Sequence, residues 1–150
     1  MMMHDVLSVL CASLAALGFG IFFNLRGAKL WTAAIGGGIG WLFFLLAAPG
    51  GDLVRYCTAS AAITLYAEVM ARIQRAPVTV YLVPALIPLV PGGLIYEAML
   101  HALGGRNDLF LSVGLHALTI TGALTLGIVT VSSLMRLVYA RKLRLHRPMP

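Results

Sequence analysis

Charge is scarce in this chain. Only 11% of its 150 residues are Asp, Glu, Lys or Arg, and five of these are acidic; an ordinary soluble domain carries about 25%. Cysteine is rarer still. Cys11 and Cys57 sit inside apolar stretches without metal-ligand spacing, so both read as small packing residues, and neither a structural disulfide nor a metal centre is expected. The five acids are scattered over the chain, and no HExxH, GxSxG or phosphate-cradling motif occurs. An intramembrane enzyme would need clustered acids or histidines, so no enzymatic activity and no cofactor are expected.

What the chain has instead is apolar surface: 60% of the residues are hydrophobic and the mean hydropathy is +0.93. A soluble fold of this size could not hide so much. The expected solvent is lipid. The net charge of +6 does not point to nucleic acid, because Arg136, Arg141, Lys142, Arg144 and Arg147 gather at the C-terminus directly after an apolar segment. That placement suits anionic headgroups and membrane orientation, and the interleaved aromatics of a nucleic-acid surface are missing.

A helix crossing the hydrocarbon core needs about 20 mostly apolar residues. Five stretches qualify, over 6–24, 30–48, 53–71, 78–100 and 110–134, followed by a basic tail over 136–150. They are continuously apolar rather than alternating, which favours helices over a β-barrel. The expected fold is therefore a single all-α membrane domain of five transmembrane helices. The first stretch lacks the basic start of a signal peptide, and Leu10 before Cys11 does not suit a lipoprotein cleavage site, so 6–24 reads as a retained span. Alternate loops carry unequal charge. Arg26, Lys29, Arg72, Arg75 and the five tail residues would share one side, against Arg55 and Arg106 on the other. The positive-inside rule then places the N-terminus outside and the C-terminus in the cytoplasm.

Gly36 and Gly40 form a GxxxG pair within the run 36–40, and Ala12, Ala15, Ala16, Gly18 and Gly20 line the first span. Small residues let backbones approach closely in lipid, either within the subunit or against a partner. Ser60, Thr64 and Glu68 recur every four residues, with Arg72 placed to pair with Glu68. Glu68 reads as a paired interfacial carboxylate or as a gating or proton-carrying acid. Glu97 and His101 stand one turn apart and could relay protons, or Glu97 could simply reach water. Ser112, His116 and Thr119 share a face of the last span, as do Thr121, Thr125 and Ser132. Hydroxyls in lipid usually bond back to their own helix, so a hydrophilic route is the alternative reading, and His116 could serve packing or a site. Asn24 ends the first span and reads as a cap or interface residue, not a ligand.

The fourth stretch carries the strongest signal. Pro84, Pro88 and Pro91 follow one another at spacings of four and three, and Gly92-Gly93 comes next. Each proline removes the amide that would bond the carbonyl four residues back, so Val80, Pro84 and Ile87 lose donors, and glycine tolerates positive φ. The fourth helix is expected to be discontinuous here. Irregular backbone at membrane depth survives only inside protein or along a wet cavity, and broken helices build substrate sites in transporters. The restarted half-helix would aim free N–H groups at a carboxylate.

The run from Pro84 to Met99, ending in Pro-Gly-Gly with Tyr96 three residues later, resembles the central motif of the small five-helix half of the threonine/serine exporter family. Gly18-Phe19-Gly20-Ile21-Phe22-Phe23-Asn24, followed by a basic loop, looks like the same family's first helix end. The resemblance covers residues 14 to 130. It implies a YjjB-like subunit that exports threonine and serine, or a dicarboxylate such as succinate, across the bacterial inner membrane beside a larger ThrE-like (YjjP-like) subunit. An odd number of spans would then give two halves of inverted topology with a site between them. The expected substrate path comprises Pro84, Pro88, Pro91, Gly92, Gly93, Tyr96, Glu97 and His116, with Glu68, Glu97 and His101 as gating or proton-coupling groups. A structural or assembly subunit without its own substrate site is the alternative function.

Overall fold

The structure, a computed structural model, describes residues 3–145, with side chains described to 139. It is helical nearly throughout, and no strand occurs among the described residues. Six helices follow in order: α1 (Met3–Phe22), α2 (Ala28–Leu46), α3 (Gly51–Ile73), α4 (Thr79–Leu86), α5 (Gly92–Leu103) and α6 (Asn107–Leu145). Short 3-10 turns over Ala48–Gly50 and Ile87–Leu89 lead into α3 and out of α4.

The helices stop for local reasons. Asn24 and Arg75 take left-handed φ of 58° and 50°, while Leu25 N–H bonds the Gly20 carbonyl and Ala76 N–H that of Ala71, both at 2.9 Å. Gly105, at φ 68°, closes α5 in the same way through Arg106 N–H to His101. A left-handed residue just past the helix lets the chain satisfy its last carbonyls. Asn24 thus serves as the expected terminator.

Packing makes α3 the axis of the bundle, with α2, α4 and α6 around it. Ala59, Ser60, Ile63, Thr64, Ala67, Glu68 and Ala71 are all buried. The partners along α6 rise in step with α3: Asp52 meets His116, Ser60 meets Gly127, and Arg72 meets Tyr139. The two helices therefore run parallel. Glycines in α2 serve its neighbours α1, α3 and α4. A Cβ on Gly37 would stand 2.6 Å from Ala16 Cβ in α1, and one on Gly36 would stand 3.2 Å from Ala85 and Tyr66. The expected GxxxG pair is occupied within the chain, with Gly40 against Ile63 and Leu89.

Three helices are long and apolar enough to cross a membrane: α1, α2 and the part of α6 through Tyr139. The α4–α5 pair makes a fourth if a bent pair counts as one span. Among the described residues no other helix passes, because Asp52, Arg55, Glu68, Arg72 and the hydroxyl residues of α3 lower its mean hydropathy. α6 outruns the expected span: its 39 residues carry the helix through the start of the basic tail to Leu145, and Arg147 lies outside the described residues.

Candidate functional site

The backbone breaks where proline and glycine accumulate. Pro84 is carried inside α4 and buried, Pro88 enters the 3-10 turn, and Val90 turns extended at φ −66°, ψ 129°. Gly92 then restarts a helix whose arm lies 52° from the first. The orphaned carbonyl expected at Ile87 finds a donor after all, in Val90 N–H at 3.2 Å, because the tighter turn brings that amide within reach. Gly92 N–H bonds the Val90 carbonyl at 2.8 Å and Ile95 N–H that of Pro91 at 3.2 Å. Among the described residues, no backbone carbonyl receives the N–H groups of Gly93 and Leu94. These donors give α5 a positive N-terminal end.

The break sits deep in the bundle on one side and opens on the other. Leu89, 3% exposed, joins Phe44, Ala59, Ile63, Ala85, Ile120 and Leu124 in the core, and Ile63 lies midway along α3. Pro91 is buried. Gly92 and Gly93 are exposed and have nothing within 4 Å of a built Cβ. Tyr96 is 65% exposed, and the Glu97 side chain 56%. The expected path residues of this segment therefore divide: Pro84 and Pro91 face inward, while Gly92, Gly93, Tyr96 and Glu97 face outward. Pro88, half-buried, borders a cavity of about 340 Å³ shared with Leu7, Ser8, Cys11, Ala12, Ala15 and Trp41.

The other candidates fall into separate groups. Glu97 Oε1 and His101 Nε2 are 3.8 Å apart, and His101 Nδ1 is buried without a hydrogen-bond partner. Glu68, 7% exposed, pairs with Arg72 at 2.6 Å. Arg72 also donates to the Glu68 carbonyl and stacks 3.7 Å over Tyr139. His116 Nε2 lies 3.4 Å from Asp52 Oδ2, and Asp52 faces Arg55 at 3.7 Å. Arg55 in turn lies over the Phe44 ring and donates to the Phe44 carbonyl at 3.3 Å. Thr119, Thr121 and Thr125 bond back to carbonyls of their own helix, so they offer no continuous polar stripe. Among the described residues, no three His, Cys, Asp or Glu side chains gather to hold a metal ion.

Sequence reasoning missed two features. Asp52 is the interhelical partner of His116, and no spacing rule joins residues so far apart. Tyr81, wholly buried, donates to Gln74 Oε1 at 3.1 Å; Gln74 Nε2 donates to Thr32 Oγ1 at 2.7 Å, and Tyr66 donates to the Thr32 carbonyl at 3.0 Å. The available signal was Gln74 itself, the chain's lone glutamine.

Long apolar helices, small residues at helix contacts and one interrupted helix define a helical membrane protein. More particularly, the chain belongs to the threonine/serine exporter family, since the family described as "Threonine/Serine exporter, ThrE" matches residues 8–134. Membership implies a threonine/serine exporter role, not catalysis of a reaction. No curated protein and no solved structure matches the chain.

Proposed function

We propose that this chain is the small membrane subunit of a two-component exporter of carboxylate-bearing metabolites, either threonine and serine or a succinate-like dicarboxylate. Its partner is a larger ThrE-like (YjjP-like) subunit in the bacterial inner membrane. The carrying observation is the pair of uncovered N–H groups at Gly93 and Leu94, beside a core whose Ile63 marks the middle of α3. In this reading α3 is a span despite its polar residues: its 23 residues reach about 34 Å at 1.5 Å each. The bent α4–α5 pair is then the discontinuous fourth of five spans. The basic loops place the N-terminus outside and the C-terminus in the cytoplasm, and the partner's inverted half would close the site from the other side.

Efflux of labelled threonine, serine and succinate from cells carrying Gly93→Leu or Pro91→Ala tests this reading. Leucine at Gly93 fills the space before the donors, and alanine at Pro91 restores an amide and lets the helix run on. Both variants should insert normally and lose efflux by about tenfold or more, the scale of one hydrogen bond to a charged group. Gly18→Leu, a second glycine with open space around it, should export normally. Unchanged efflux in both break variants, at normal membrane levels, would reduce the chain to an assembly subunit.

A further inference from the structure

The space directly behind the break is closed to a small anion. Phe44, Ile63, Leu89, Ile120 and Leu124 fill the space behind the break with apolar side chains. The polar groups of the break lie on the outside. Gly92 and Gly93 border open space, and Tyr96 and Glu97 project from the same restart. α5 packs mainly on α6, which leaves this outer face without a neighbour.

Depth decides what that face must meet. Leu89 stands level with Ile63 at the middle of α3. Glu97 follows Pro91 by six residues, which is about 9 Å along α5, and the 52° bend shortens its climb toward the surface. The hydrocarbon half-thickness is about 15 Å. A carboxylate and two free amides would thus face acyl chains, and lipid satisfies neither. His101 stands 3.8 Å away, beyond a hydrogen bond, and does not cover the carboxylate.

We infer that the outer face of α5 around Gly92, Gly93, Tyr96 and Glu97 is the seam with a second, non-identical membrane chain, which sets a cationic side chain against Glu97. Charge selects this occupant over another copy of the same chain. A second copy inserted the same way round would meet this face about a twofold along the membrane normal, bringing carboxylate to carboxylate and one positive end of α5 to another. A partner bearing Lys or Arg pairs the carboxylate, its oxygen acceptors can take the free amides, and its small residues would fit where Gly92 and Gly93 leave room. The solute route of the exporter reading then runs along the seam, not through the chain; that route, and the reading of α3 and the α4–α5 pair as spans from which the depth is taken, rest on the proposed function.

The test places a photo-crosslinking p-benzoylphenylalanine at Gly93 or Tyr96 in the full-length chain in its native membrane. Leu14 of α1 and Leu126 of α6, both exposed, serve as lipid-facing controls. The expected result is an adduct between Gly93 or Tyr96 and one larger membrane protein, with lipid adducts alone from the controls. Glu97→Lys should abolish that protein adduct, Glu97→Gln should weaken it less, and reversing a basic residue at the mapped contact on the partner should restore it to the Lys variant. An adduct at twice 16.0 kDa, lipid adducts from all four positions, or a protein adduct indifferent to Glu97→Lys would overturn the inference. If the adduct and its charge rescue hold while Gly93→Leu exports normally, the seam stands and the exporter site alone falls.

Discussion

Glycine does two different jobs in this chain, and only the neighbours tell them apart. At Gly37 the backbones of α1 and α2 touch: a Cβ there would meet Ala16 at 2.6 Å and the Ala12 carbonyl at 3.0 Å. At Gly93 it would meet nothing. Gly37→Leu should therefore cost about 1–3 kcal/mol by overpacking and visibly lower the midpoint of thermal unfolding in detergent, whereas Gly93→Leu should leave that midpoint unchanged and act on efflux alone. Equal midpoints for the two variants would contradict the α1–α2 contact. The density of small residues was legible in the sequence; the sorting of Gly36 and Gly40 toward α3 and α4, and of Gly37 toward α1, was not. The Glu68–Arg72 pair was legible too, because four-residue spacing on a helix brings side chains together wherever the helix sits. Asp52 and His116 meet only because α3 and α6 run side by side.

At the scale of the element, the two arms of the broken helix are held differently. α4 is tied to α2 and to the end of α3 through Tyr81, Gln74 and Thr32, whereas α5 packs mainly on α6. Tyr81→Phe removes the donor to Gln74 and leaves a polar oxygen unmatched, a loss of about 1–3 kcal/mol. Amide exchange should then quicken in α4, by about tenfold for each 1.4 kcal/mol, while exchange in α1 stays as it was. A uniform change across the protein, or none, would show that the network does not anchor that arm. The interruption itself followed from the sequence, since closely spaced prolines followed by two glycines remove successive backbone donors, although Pro84 by itself is carried inside α4. Its 52° angle and the outward opening of Gly92 and Gly93 did not, because both depend on Leu89 and Pro91 being drawn into the core.

For the whole molecule, the charge asymmetry of the loops predicts an orientation that single cysteines can check. In a variant without Cys11 and Cys57, an impermeant thiol reagent should label Ala48→Cys and Gly105→Cys in intact cells. Gly27→Cys and Ala76→Cys should react only after lysis, and the reverse pattern would invert the assignment. Because the spans are local apolar runs, their helices begin and end within a few residues of the stretches read from the chain, apart from α6, whose helix continues toward the basic tail. Hydropathy and backbone chemistry are properties of a residue and its chain neighbours, so the sequence by itself determined that this is a helical membrane protein and where its fourth stretch breaks. Tertiary structure alone decided that α3 is the axis, that the space directly behind the break is closed, and that the break faces outward. In lipid every apolar face is equally content, and only the fit of one helix against another chooses which faces are buried.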